Sequence, residues 1–112
     1  MSFSPETENT VELAINKEYE NACKIWGDKY NSPHEAYAVL LEEVEEVESI
    51  MRCLKCSLEY FWKDIKKDIL CGKSLSTQIT DMYIFSKNAM KELAQVGAVL
   101  KKIQNTVFGE VK

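Results

Sequence analysis

The sequence is poor in chain-breaking residues: its 112 positions hold only 4 Gly and 2 Pro. A sheet of many short strands needs far more turn residues than that, so an all-β fold is excluded. A basic surplus is also missing. Eighteen acids stand against 14 Lys and Arg, a formal charge of −4, whereas binding to a nucleic-acid polymer normally rests on the opposite balance. No apolar run approaches the roughly 18 residues of a membrane span. The first residues, Met1-Ser2-Phe3-Ser4-Pro5-Glu6-Thr7-Glu8, show neither the basic segment nor the apolar core of an export signal. The expectation is a cytoplasmic chain with a short flexible tail over residues 1–9. In that reducing setting Cys23, Cys53, Cys56 and Cys71 read as packed free thiols. Cys53-Leu54-Lys55-Cys56 is a lone CxxC, two ligands short of a zinc site, and the one histidine, His34, lies far upstream.

What is present is a globular balance of 46% apolar and 29% charged residues, enough for one helical domain over 10–108 and a tail at 109–112. From about Thr10 to Trp26 the apolar positions Val11, Ile15, Tyr19, Ala22 and Trp26 step by threes and fours, one face of a helix, and Gly27 ends it. Ser32-Pro33-His34-Glu35 then marks a second helix start: a capping Ser, Pro in the first turn, and Glu35 where a capping box closes back on the Ser backbone. The seam Tyr37, Leu40, Val44, Val47, Met51, Leu54, Leu58, Phe61, Ile65 follows without a break to Cys71-Gly72. A third helix opens near Ser74-Leu75-Ser76-Thr77, with the seam Ile79, Met82, Ser86, Ala89, Leu93, Val96, Leu100, Ile103, Val107 and then Gly109. The fold class is all-α: long antiparallel helices whose stripes one chain cannot cover, completed as a bundle by oligomerisation into a dimer or tetramer. The aromatics Tyr37, Tyr60, Phe61, Trp62, Tyr83 and Phe85, at helical spacing, read as core.

The feature able to carry chemistry is Leu41-Glu42-Glu43-Val44-Glu45-Glu46-Val47-Glu48. A run of acids is usually a solvated face. Here Glu43 and Glu46 interrupt an otherwise apolar or small row, Ala36, Val39, Ile50, Cys53, and Glu42 lies one turn before Glu46. From Glu35 to Met51 there is no Lys or Arg. Crowded carboxylates need protonation, a basic partner or a cation, and hard cations such as Mg²⁺ and Mn²⁺ take oxygen ligands. On the third helix Glu92 interrupts a similar row, Phe85, Asn88, Val99, with Gln95 one turn further.

Glu42-Glu43-Val44-Glu45-Glu46 fits an EExxE pattern. Together with Trp26-Gly27, the run Asn31-Ser32-Pro33-His34-Glu35-Ala36-Tyr37-Ala38-Val39-Leu40-Leu41 before it and Glu92-Leu93-Ala94-Gln95-Val96-Gly97-Ala98 after it, the chain resembles small MazG-like, all-α nucleoside triphosphate pyrophosphohydrolases. The match runs from Trp26 to Lys101. That resemblance implies a Mg²⁺-dependent enzyme, with Mn²⁺ as a substitute, that cleaves a nucleoside triphosphate to a monophosphate and pyrophosphate as a homodimer or homotetramer. It implies metal ligands Glu42, Glu43, Glu46 and Glu92, with Glu42 or Glu43 activating water. Asn31, His34 and Gln95 become candidate substrate contacts, and Lys87, Lys91, Lys101 and Lys102 candidates to steady the triphosphate.

The chain departs from the family in two places. Gln95 stands where the family's second motif has Asp, and Glu46 and Glu92 are further apart in sequence than usual. A straight hairpin turning near Lys73 would leave Glu42 and Glu92 out of step by about 12 residues, roughly 18 Å. They would then meet only through a bend in the second helix or a second chain, with Asp64, Asp68 and Asp81 as fallback ligands. The rival reading is a catalytically degenerate helical oligomer that binds a nucleotide or a protein; a purely structural bundle needs no site at all.

Overall fold

A computed structural model describes residues 2–67 and 73–106. The expected helix end at Cys71-Gly72, Asp68, Val107, Gly109 and the 109–112 tail lie outside these residues. All regular structure among the described residues is α-helical: α1 (Pro5–Trp26), α2 (Pro33–Lys66) and α3 (Lys73–Asn105).

The helix ends follow from local chemistry. Helix α1 starts at Pro5, ahead of Thr10, because Ser4 is an N-cap: the Thr7 N–H donates to Ser4 Oγ at 3.1 Å, Pro5 needs no donor partner, and Glu6 and Glu8 sit at the positive helix end. Residues 5–9, read from the sequence as tail, are thus helical. Gly27 closes α1 at φ 84°, where an L side chain is strained, with its N–H donating to the Cys23 carbonyl at 2.9 Å. Ser32 caps α2 as expected, accepting the Glu35 N–H at 3.1 Å. The reciprocal half of the box differs: Glu35 Oε2 accepts the Asn31 amide at 3.1 Å. Helix α2 then runs 34 residues, about 50 Å, as one α-helix.

The chain divides into two compact units, and the division cuts across α2 and α3: Met1–Val44 with Leu93–Lys112 form one, Glu45–Glu92 the other. In the first, α1 lies against the end of α3. Gly97 permits that approach, since a Cβ there would stand 2.8 Å from Ile15 Cδ1. The Lys101 ammonium donates to Asn16 Oδ1, and the Asn105 amide donates to the Tyr19 hydroxyl at 2.9 Å. The connection after α1 is fastened by the Tyr30 N–H, which donates to Thr106 Oγ1 at 3.2 Å.

The second unit is a hairpin of the later part of α2 and the earlier part of α3. Gln78 Nε2 donates to Asp64 Oδ2 at 2.8 Å, and Glu46 lies against Glu92, so the two segments run antiparallel. Ala89 is buried between them, with Ile50, Leu54, Phe61 and Phe85 half-buried.

The seam expected along α2 is split. Leu40, Val47, Leu54 and Phe61 turn inward, while Tyr37, Val44, Met51 and Leu58, spaced by seven, face outward. The inward face has rolled toward the row of Ala36, Val39, Glu43 and Ile50. Of the aromatics expected in the core, Tyr37, Tyr60, Trp62 and Tyr83 are exposed. Three of these rings carry a lysine ammonium over them: Lys63 on Tyr60, Lys66 on Trp62 and Lys87 on Tyr83, at 5.2, 5.7 and 4.7 Å from the ring centres. Cys53 and Cys56 are exposed free thiols, not packed ones.

Replacing Ser32 with Ala leaves the Glu35 N–H without its cap. Urea denaturation is expected to show a loss of about 1 kcal/mol; an unchanged midpoint would show that α2 does not depend on this start.

Candidate metal centre

Carboxylate placement begins with helix geometry. Glu43 and Glu46 are three positions apart on α2 and share a face one turn long. Glu92 reaches Glu46 through the hairpin register: Glu46 stands twenty residues before the end of α2 at Lys66, and Glu92 nineteen after the start of α3 at Lys73. The two arms are therefore in step within one chain. The mismatch expected from the sequence came from counting from Glu42 and placing the turn at Lys73, which is already inside α3. No second chain is needed to bring Glu46 and Glu92 together.

One oxygen from each of Glu43, Glu46 and Glu92 lies within 4.8 Å of the others. Glu43 and Glu92 are half-buried and Glu46 is exposed. Glu92 Oε2 is buried with no hydrogen-bond partner. A hydrogen bond to Glu46, burial, and the charge of Glu46 together push the Glu92 carboxyl above the usual range. Oxygens sharing one Mg²⁺ stand about 3 Å apart when adjacent and about 4.2 Å when opposite, so this set would draw closer together around an ion. An all-oxygen, anionic donor set with an orphaned buried oxygen fits a hard divalent cation.

The remaining sequence candidates fall into place around this group. Glu42 is exposed and outside it. Gln95 is exposed one turn beyond Glu92, and His34 is exposed in the first turn of α2. Asn31 is engaged with Glu35. Of the fallback ligands, Asp64 is taken by Gln78 and Asp81 is exposed. Cys53 and Cys56 gather no third metal-binding side chain among the described residues.

Tyr30, which no sequence pattern singled out, lies beside this chemistry. It is buried, and burial first, then the charges of Glu35 and Glu43, hold its phenol above the ordinary value. The Lys102 ammonium sits 4.2 Å from its ring centre. The pairing joins residues 72 positions apart, so neither helical spacing nor local motif could have revealed it.

No family model matches the chain, and no curated protein or solved structure matches it either.

A carboxyl that holds its proton more tightly when folded contributes stability on the acid side and loses it as pH rises through its raised pKa. Glu92→Gln removes that loss. Without divalent cation at pH 7 the variant is expected to melt on the order of 2 °C above the wild type. The gain should fade as pH falls and Glu92 takes up its proton. A variant that melts below the wild type at pH 7 would contradict the crowding.

Proposed function

We propose that the chain is a Mg²⁺-dependent nucleoside triphosphate pyrophosphohydrolase of MazG-like type, working as a homo-oligomer. The observation that carries this is the convergence of Glu43, Glu46 and Glu92, with Glu92 Oε2 buried and lacking a hydrogen-bond partner. The EExxE run and the surrounding resemblance supply the reaction class.

In this reading Glu43, Glu46 and Glu92 hold the cation, with Mn²⁺ able to replace Mg²⁺. The bound ion supplies positive charge against the phosphate oxygens as the anhydride bond breaks. Glu42, outside the trio but one residue from Glu43 and one turn from Glu46, accepts the proton of the attacking water; Glu43 is the alternative base. Asn31, His34 and the start of α2 face the substrate's polar groups, and the positive helix end favours phosphate. Gln95 contributes a neutral amide to sugar or base.

The oligomer rests on a different observation. A two-helix hairpin has one mutual face, yet Met51, Leu58, Ile79, Tyr83 and Met90 of the second unit are exposed, Leu58 by 55%. The outward row spaced by seven on α2 suits a second copy of the chain. Sedimentation velocity is expected to show a dimer or tetramer for the wild type and a smaller species for Met51→Asp with Leu58→Asp; a monomeric wild type would remove this part of the proposal.

Activity is tested by pyrophosphate release from a panel of canonical and modified nucleoside triphosphates with Mg²⁺ or Mn²⁺. Turnover is expected for at least one, falling by about 100-fold or more in Glu46→Gln and Glu92→Gln. The absence of Asp at Gln95 favours a second reading, a catalytically degenerate nucleotide- or protein-binding oligomer. Stabilisation by a nucleotide with Mg²⁺, in the absence of any turnover, would select it.

A further inference from the structure

Charge is sorted along α2. From Pro33 to Ile50 the helix holds six glutamates and no Lys or Arg. From Met51 to Lys66 it holds Arg52, Lys55, Lys63 and Lys66 against Glu59 and Asp64. The change of sign falls at the middle of the 34-residue helix.

An outward stripe spans the same change. Beside the row spaced by seven, Leu41 and Trp62 are exposed, by 41% and 56%. With Glu48 and Lys55, also exposed, they complete a stripe that steps by fours and threes from Tyr37 to Trp62. Two-stranded coiled coils are built on that spacing. The inward row of Leu40, Val47, Leu54 and Phe61 borders the stripe on one flank. Glu45 and Arg52, exposed and seven apart, border it on the other. Charged residues at such flanking positions set the direction in which paired helices run.

Two α2 helices stacked in parallel would set six glutamates against six. Stacked antiparallel about their midpoints, each acidic half lies on the basic half of the other. Leu41 then stands opposite Leu58 of the second copy, and Glu45 lies within one turn of Arg52 of the second copy on the same flank. A two-fold axis makes each of these contacts twice.

We infer that two copies of the chain pair α2 against α2, antiparallel about the helix midpoint, with Glu45 of each copy set against Arg52 of the other. The inference rests on the oligomer reading above and adds which helix meets which, and in what direction. Pairing of the stripe with α3 of the second copy would leave Glu45 and Arg52 apart.

Sedimentation of the full chain at low ionic strength, where exposed charges are least screened, is the test. Glu45→Lys and Arg52→Glu each bring like charges together twice in a dimer, and each is expected to weaken association by about 10-fold or more. The double variant, with the two charges exchanged, should regain the wild-type association. Mixing the two single variants should give mixed dimers in clear excess over either parent, read by native mass spectrometry.

Single variants that associate like the wild type, a double variant no tighter than the singles, or single variants without preference for each other would each overturn the antiparallel pairing and leave the oligomer reading standing. A wild-type chain that stays monomeric would remove both.

Discussion

Repulsion among carboxylates is the constraint around which this molecule is arranged. Glu46 and Glu92 are pressed together by the hairpin register, and Glu43 stands one helical turn from Glu46. Each carboxylate could have been solvated at little cost on an outer face of its helix. Instead an oxygen of Glu92 is buried without a hydrogen-bond partner, and its carboxyl holds a proton more tightly than an ordinary glutamate. Such an arrangement is destabilising in isolation and becomes favourable when a proton or a doubly charged cation is shared. The proposed chemistry is that compensation put to use.

Helix surfaces here serve more than one partner. The inward rows of α2 and α3 hold small and half-buried residues, with Ala36, Ala89 and Ala98 the buried apolar ones, and the described residues contain no large side chain that is fully buried. Long apolar and aromatic side chains are left on the outside, several of them roofed by lysine stems whose ammonium groups lie over the rings. A chain that keeps its small residues for its own contacts and turns its large ones outward is suited to assembly with copies of itself, the arrangement proposed above.

The helices were legible from the sequence because their signals are local. Ser32-Pro33 and Gly27 each act through a hydrogen bond or a backbone angle within four residues, and the structure shows both at work. The start of α1 was misplaced because Ser4-Pro5, an equally good start signal, lies before any apolar periodicity. The apolar seam was read correctly as a pattern and wrongly as a single buried face, since periodicity adds up every partner a helix will meet. The interrupted rows held Glu43, Glu46 and Glu92, the three carboxylates whose oxygens the structure brings within 4.8 Å of one another. Glu42, grouped with them by its helical position as well as by the motif, falls on the exposed side of the same turn.

By itself the sequence determined the all-helical class, the Gly27 and Ser32 caps, and the crowding of acids along one stretch of α2, for these depend on residues within a turn or two of each other. Only the tertiary structure decided that Glu92 stands in step with Glu46 within one chain, and that Tyr30 carries Lys102 on its face. Those pairings depend on where α2 ends and α3 begins and on a single threonine hydroxyl joining distant backbone segments, distances that no local spacing encodes.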